Sequence, residues 1–355
     1  MERQDGMLEG KSRPTDSAVE EPMTTVRIPE STWHLFHAVM EQPVTQASER
    51  YLHQIETSMA CNNELYALPA ECTDQGIPRG RLTDGEINDS VFYPGASRKY
   101  WVYEPAGTET VCEPRSLILV LDANFFMLDP KTGLLLENPP ILRLFDNLTA
   151  EKRIPPSVIL LACYGEPGPG QPVNGFSEGE VNRSVEYDTT SDWHARFLTE
   201  EFMPVALRGL NVSDRAEDHV ICGFSSSGIA AFSAAWFRTD VFGKLYIGSP
   251  SFVNIRNGIV WPSAIRIHDK KEIKVFQTAG KHDLDNIFGS WLYANYDVAC
   301  ALEYAGYEHL FYVSEAGHSL AVYFYTMPQG LAWLFGGEKP VFQRMEQVTF
   351  SEMIR

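Results

Sequence analysis

Three adjacent serines stand between a short apolar run and an alanine-rich stretch within residues 219–236. A serine at a sharp strand-to-helix turn exposes its hydroxyl beside the backbone N–H groups that follow, as in the nucleophile elbow of an α/β-hydrolase. The tight turn needs small residues two positions before and two after the nucleophile, and only Ser225 has them, namely Gly223 and Ser227. Ser225 is therefore the predicted nucleophile, against the alternative of a serine-rich helix start in any α/β protein.

Two later apolar runs end close to residues that could complete a catalytic triad. Residues 273–278 precede Asp283 and Asp285, and residues 310–313 precede His318. A serine hydroxyl is a weak nucleophile until a base takes its proton and an acid orients that base. The chain order serine, aspartate, histidine is that of an α/β-hydrolase. We predict His318 as the base and Asp283 as the acid, with Asp285 as the alternative acid.

An oxyanion hole requires two backbone N–H groups beside the nucleophile. One is predicted to come from Ser226, directly after the nucleophile, and the other from the turn after the third strand. That second donor is predicted to be Ala123 or Asn124. No cluster of His, Cys and acidic residues has metal-ligand spacing, and no glycine-rich phosphate loop follows a strand. We therefore expect neither a metal nor a cofactor.

Apolar runs separated by helical or loop segments predict the elements that position these residues. Continuous apolar runs are typical of strands that are buried on both faces of a parallel sheet. Alternating strands and helices predict an α/β fold with a mostly parallel sheet, helices on both faces and working residues at the carboxyl ends of the strands. The predicted strands are residues 99–103, 117–121, 158–163, 220–223, 245–248, 273–278 and 310–313.

The chain is predicted to contain three regions. Residues 1–25 are polar and acidic, and we expect a disordered tail. Residues 26–84 are predicted to form a helical N-terminal extension, because apolar residues recur at three- and four-residue spacing around Trp33 and Tyr51. Two short helices cannot fold alone, so the extension is expected to be a homodimer arm or a lid. Residues 85–355 are predicted to form the α/β-hydrolase domain.

Composition limits the classes of partner. The formal net charge of −18 would repel phosphate backbones and anionic membrane surfaces, so neither nucleic acid nor a membrane is expected as a partner. The first residues are polar and the chain has no run of 18 apolar residues, which predicts a cytoplasmic protein. The six cysteines have no C-x-x-C spacing, and several fall within apolar segments, as expected of buried thiols in a reducing compartment.

Five motifs resemble the putative esterase family of α/β-hydrolases, the group around enterochelin esterase and esterase D. The motifs are residues 98–103, 183–188, 223–232, 283–295 (with breaks) and 317–319. The resemblance covers about residues 85–336 and implies ester hydrolysis, with Ser225, Asp283 and His318 in the catalytic positions. It also implies that Glu186, Tyr187 and Trp291 lie near the substrate cleft.

The sequence departs from that family at the predicted pocket. Residues 320–325 (Leu-Ala-Val-Tyr-Phe-Tyr) replace a glycine-rich segment after the histidine, and Ala123 stands where relatives tend to have glycine. The helical extension also differs from the β-rich N-terminal domain of enterochelin esterases, which weakens any prediction of a siderophore substrate. The favoured function is a serine esterase acting on a small or aromatic ester or lactone. The alternatives are an acyltransferase on the same scaffold and a non-catalytic ligand-binding protein.

Overall fold

The computed structural model describes residues 57–167 and 178–350. These residues belong to one compact unit, Gln46–Arg355. The predicted tail and the predicted helices around Trp33 and Tyr51 lie outside the described residues. Their roles as a dimer arm or a lid therefore stay predictions.

One mostly parallel sheet forms the centre of the described part of the chain. Its nine longer strands are β1 (Arg81–Ile87), β2 (Ala96–Glu104), β3 (Ser116–Leu121), β4 (Ser157–Ala162), β5 (His219–Phe224), β6 (Lys244–Gly248), β7 (Lys274–His282), β8 (Glu308–Gly317) and β9 (Met345–Val348). They lie in the order β1-β2-β4-β3-β5-β6-β7-β8-β9, and a short strand at Glu166–Pro167 pairs with β2. The five pairings from β4 across to β8 are parallel, whereas β1 with β2, β2 with β4, and β8 with β9 pair antiparallel.

Helices connect these strands. The α-helices are α1 (Asn124–Met127), α2 (Pro140–Ala150), α3 (Glu178–Tyr187), α4 (Trp193–Arg196), α5 (Met203–Ala206), α6 (Ser226–Phe237), α7 (Trp261–Ile267), α8 (Trp291–Tyr304) and α9 (Leu320–Leu334). A π-helical segment, Phe197–Phe202, joins α4 to α5. Short 3-10 turns are Asn63–Leu65, Ala70–Cys72, Ala216–Asp218 and Gly258–Val260, and a two-stranded ribbon pairs Asp285–Asn286 with Gly289–Ser290. Across the described ranges, no helix combines the length and the apolar character that a membrane span requires.

Strand β3 shows why the apolar runs become central strands. All six of its residues are buried, and successive side chains point to opposite faces. Leu119 belongs to the core on the face of α6, together with Phe232. Val120 belongs to the core on the opposite face, together with Phe145 of α2. The predicted α/β fold with helices on both faces of a mostly parallel sheet is confirmed.

The sheet begins earlier than the sequence predicts. Strand β1 starts at Arg81 and pairs with β2 from Arg81 opposite Glu104 to Ile87 opposite Arg98. Its first residues therefore belong to the sheet, although the predicted catalytic domain begins at residue 85. Alternation along β1 is weak because most of its side chains are exposed at the edge of the sheet.

Candidate active site

Ser225 occupies a sharp corner between β5 and α6. Its backbone has φ 59° and ψ −122°, a region that residues with a Cβ rarely adopt. The corner is held because the N–H of Ser225 donates to the carbonyl of Gly248 (2.9 Å) and the N–H of Gly228 donates to the carbonyl of Ser225 (3.0 Å). Gly223 is required because a Cβ there would collide with the backbone of Ser227. The strain and the close approach together place the Ser225 side chain at the carboxyl end of β5.

The two neighbouring serines have different surroundings. Ser227 is fully buried, donates its hydroxyl to the carbonyl of Phe224 and accepts the N–H of the same residue, both at 2.8 Å. The Ser227 side chain therefore stabilises the turn and does not line the cavity. Ser226 lines the same cavity as Ser225, and its backbone N–H follows the corner.

Asp283 and His318 meet at the carboxyl ends of β7 and β8. The Nδ1 atom of His318 lies 2.6 Å from Oδ1 of Asp283, and His318 as a residue is only 5% exposed. The carboxylate is held by the N–H groups of Leu284 (2.8 Å, to Oδ1) and Gly280 (3.3 Å, to Oδ2). Asp285, the alternative acid, is exposed on the two-stranded ribbon. The structure therefore brings Asp283 to His318.

Ser225 and His318 line the same cavity, which has a volume of about 370 Å³. Its walls are mainly apolar and aromatic, and they include Trp291 of α8. The imidazole packs between rings, with its centroid 4.7 Å from that of Phe224 and 6.1 Å from that of Trp291. A cavity of this size and character matches the usual binding site for a small organic molecule.

Three charged side chains interrupt the apolar lining. Arg183 of α3 makes a two-pronged ion pair with Asp122, with Nε 2.9 Å from Oδ1 and a terminal nitrogen 2.6 Å from Oδ2. Its guanidinium also lies over the ring of Phe125, 5.6 Å from the centroid. Burial raises the pKa of Asp188 from 3.8 to about 6, because desolvation outweighs the attraction of nearby Arg183. Opposite charges thus stand on one wall of a mainly apolar site.

Two predicted pocket residues of α3 lie elsewhere. Glu186 turns towards β2, where its oxygens lie 2.6 and 3.1 Å from the guanidinium of Arg98, and it is only 2% exposed. Tyr187 is part of the core and does not line the cavity. Arg183 and Asp188 line the cavity instead. Residues 183–188 do border the cavity, but through Arg183, Ser184 and Asp188 rather than through Glu186 and Tyr187.

The prediction for the second oxyanion donor is corrected in the same way. The backbone N–H of Ala123 donates to the carbonyl of Ala162 (3.0 Å), which continues the pairing of β3 with β4. This donor is therefore not free for a substrate. Burial raises the pKa of the Cys163 thiol, and the nearby backbone N–H of Asn124, the other candidate, opposes that rise.

Ser251 is a site residue that the sequence reasoning missed. It follows β6, its Oγ lies 3.3 Å from Oγ of Ser225, and it accepts the indole N–H of Trp291 at 3.1 Å. A signal was present, because Ser249-Pro250-Ser251 directly follows a predicted strand, and the carboxyl ends of parallel strands share one edge.

An elbow serine on a mostly parallel sheet, with a paired aspartate and histidine at the same edge, defines an α/β-hydrolase. The family model described as "Putative esterase" matches residues 93–334. The chain belongs to this putative esterase family, a family of carboxylic ester hydrolases.

Solved structures share the fold at low sequence identity. Enterochelin esterase from Shigella flexneri is 18% identical, with 72% of this chain and 58% of that chain covered and a TM-score of 0.56. The enterobactin esterase FES from Shigella flexneri, solved in the presence of enterobactin, is 18% identical, with 76% of this chain and 62% of that chain covered and a TM-score of 0.58. The CE1 ferulic acid esterase AmCE1/Fae1A from Anaeromyces mucronatus is 16% identical, with 78% of this chain and 98% of that chain covered and a TM-score of 0.57.

The present chain spans less than two thirds of the length of the Shigella enzymes but almost the whole length of the fungal one. No curated protein matches the chain.

Proposed function

We propose that this protein hydrolyses a carboxylic ester or lactone of a small aromatic molecule through an acyl-enzyme on Ser225. His318 serves as general base and then general acid, and Asp283 orients it. The observation that supports this most directly is the 2.6 Å contact between His318 Nδ1 and Asp283 Oδ1, on a histidine that lines the same cavity as Ser225.

The proposed reaction follows from how the histidine is held. A carboxylate only accepts hydrogen bonds, so Asp283 fixes the proton of His318 on Nδ1 and leaves Nε2 free as a base. Nε2 takes the proton of the Ser225 hydroxyl while Oγ attacks the carbonyl carbon of the ester. The tetrahedral intermediate expels the alcohol, which receives the proton from His318. Water then attacks the acyl-enzyme with the same base, releases the acid and restores Ser225.

Charge on the intermediate's oxygen needs fixed donors. The N–H of Ser226 follows the nucleophile at the start of α6, the position from which α/β-hydrolases supply one donor. We assign the second donor to Asn124, the remaining candidate of the turn after β3, because the Ala123 N–H is already bonded to the carbonyl of Ala162. Each donor of this kind contributes about 10²–10³ in kcat in other serine hydrolases.

The lining of the cavity supports an aromatic ester. Aromatic rings form much of the wall around the Ser225 hydroxyl, and flat rings pack well against such walls. The ring residues of the wall are Phe125, Phe126, Phe224, Phe288 and Trp291. A fold neighbour named as a ferulic acid esterase, after an aromatic acid, agrees with this choice of substrate class.

A covalent serine probe tests the nucleophile. A fluorophosphonate should label the wild type, and Ser225→Ala should remove the label, while Ser226→Ala and Ser227→Ala retain it. In parallel, p-nitrophenyl esters of benzoic and cinnamic acids should be hydrolysed with higher kcat/KM than acetate or hexanoate esters. Labelling that persists in Ser225→Ala would disprove the assignment, and faster turnover of the aliphatic esters would disprove the aromatic preference.

Product analysis separates hydrolysis from acyl transfer. The same ester is incubated with and without a small acceptor alcohol, and the acid and the new ester are quantified. Free acid as the main product in both cases supports the esterase. A new ester as the main product would replace it with an acyltransferase.

A further inference from the structure

Residues 57–66, here called the N-terminal clamp, lie against the end of β8 and the loop that carries His318. The clamp precedes this loop by more than 200 positions in the chain, as the separations of its contacts show. The clamp forms hydrogen bonds to the ends of β7 and β8 and to His318. The pairs are Ser58 with His282 and His318, Cys61 with Gly317, and Asn62 and Tyr66 with Glu315.

Ser58 occupies the central position in this contact. Its hydroxyl donates to the carbonyl of His282 (2.7 Å) and accepts the backbone N–H of His318 (3.0 Å). His282 directly precedes Asp283 in the chain. One hydroxyl therefore joins the backbone beside the triad acid to the backbone of the triad base.

Burial makes this bridge specific. Ser58 is only 8% exposed, so water has little access to replace its hydroxyl. Gly317 explains how the clamp comes so close, because a Cβ at that position would overlap the carbonyl of Ser58 and crowd the carbonyl of His282. The glycine before the catalytic histidine thus admits a neighbouring chain segment.

The clamp also contributes to the cavity itself. Met59, the residue after Ser58, lines the cavity that contains Ser225 and His318. The same short segment therefore supports the base and forms part of the substrate wall.

We propose that Ser58 is a positioning residue, which fixes the backbone of His318 relative to Asp283 and so sets where the imidazole meets Ser225. The clamp is then a required part of the catalytic unit. This proposal rests on the proposed hydrolase function. Loss of the hydroxyl leaves the His318 N–H and the His282 carbonyl without their buried partner. A displacement of about 1 Å in a catalytic group can cost about 10²-fold in rate.

Ser58→Ala is expected to lower kcat for a p-nitrophenyl ester by roughly 10- to 100-fold while KM stays within about twofold. The second-order rate of fluorophosphonate labelling should fall by a similar factor, because it needs the same serine and histidine. Ser58→Thr keeps a hydroxyl and should recover most of the lost kcat. Ser58→Cys has a weaker hydrogen-bonding group, so its kcat should lie between the kcat of the wild type and that of Ser58→Ala.

A matched control is Ser157→Ala. Ser157 is another buried serine, and its hydroxyl donates to a backbone carbonyl, that of Pro155 (2.7 Å). It lies at the start of β4 and does not line the cavity. This variant should lower the midpoint of urea unfolding without lowering kcat per folded molecule. Rates are compared at equal folded fraction, and Ser58→Cys replaces Ser58→Ala if the latter does not fold.

The outcomes separate the two proposals. An active wild type with an equally active, folded Ser58→Ala, or an equal loss of kcat in Ser157→Ala, would overturn the role of Ser58 and leave the hydrolase assignment intact. A wild type that neither labels nor turns over any ester would overturn the hydrolase assignment itself. A loss confined to KM would also contradict positioning, since it would indicate a role in the substrate wall.

Discussion

The hydroxyl oxygen of Ser225 lies 3.3 Å from that of Ser251, and Ser251 accepts the indole N–H of Trp291 at 3.1 Å. An indole N–H can only donate, so the hydroxyl hydrogen of Ser251 is available to donate to Ser225. Donation from Ser251 would direct the Ser225 hydrogen away from Ser251, towards the cavity that His318 also lines. We therefore propose that Ser251 orients the proposed nucleophile.

This relationship gives the first prediction. Ser251→Ala should lower kcat/KM about tenfold, as expected for one hydrogen bond of about 1.4 kcal/mol, and fluorophosphonate labelling should be slower but complete. Ser233→Ala is the matched control, because Ser233 is buried on α6 and its hydroxyl has no partner among the described residues. Unchanged turnover in Ser251→Ala would show that the contact does not orient the nucleophile.

The second prediction concerns the acid. Asp283→Asn should lower kcat by about 10⁴, because an amide at this position favours the wrong tautomer of His318. Asp285→Asn should change kcat less than about twofold, since its carboxylate is exposed on the ribbon and an exposed charge contributes little. Steady-state kinetics on one ester measure both variants. A large loss in Asp285→Asn with a small one in Asp283→Asn would reverse the assignment.

Much of the fold could be predicted because central parallel strands are continuous apolar runs, as in β3 and β4. The meeting of Ser225, Asp283 and His318 at one edge of the sheet could be predicted for a related reason. Chain order and the edge at the carboxyl ends of the strands constrain Ser225, Asp283 and His318 without any knowledge of side-chain packing.

The remaining site residues depend on tertiary detail. Glu186 and Asp188 are two positions apart on the same motif, yet one pairs with Arg98 of β2 and the other lines the cavity. Which side chain faces the cavity is set by how this segment packs against its neighbours, and the motif alone does not contain that information. The direction of the Ala123 N–H depends on strand pairing with Ala162, which the sequence of one turn does not contain. The contact of Ser58 with His318 joins residues that are 260 positions apart, so no local pattern predicts it.

The third prediction tests the corrected role of Glu186. Glu186→Gln should lower the free energy of unfolding by about 3 kcal/mol, because it leaves the Arg98 charge buried without its partner. KM should not change, since Glu186 does not line the cavity at Ser225. Glu200→Gln is the control, because its pair with Arg196 is exposed and should contribute less than about 1 kcal/mol. A raised KM without lost stability would return Glu186 to the substrate site.

The fourth prediction follows from the buried carboxyl of Asp188. Its pKa in the folded protein is raised from 3.8 to about 6 by desolvation. A raised carboxyl pKa means that the folded state holds the proton more tightly than the unfolded state. The protonated Asp188 carboxyl therefore stabilises the folded protein, fully below about pH 4, and this contribution to the free energy of unfolding is lost as pH rises through about 6. One pKa unit corresponds to about 1.4 kcal/mol, so the shift is worth about 3 kcal/mol across that window.

Asp188→Asn removes this titration while keeping the size of the side chain. The wild type should lose about 3 kcal/mol of unfolding free energy relative to Asp188→Asn between about pH 4 and pH 7. Urea unfolding of both proteins at four or five pH values measures the difference. Asp129→Asn provides a control of opposite sign, because the backbone N–H groups of Thr132 and Lys131 lower the pKa of the Asp129 carboxyl. For Asp129 the wild type should instead gain stability relative to its variant as pH rises. Parallel stability curves for the wild type and Asp188→Asn would mean that Asp188 is not desolvated in the folded protein, and that its carboxylate is hydrated within the cavity beside Arg183.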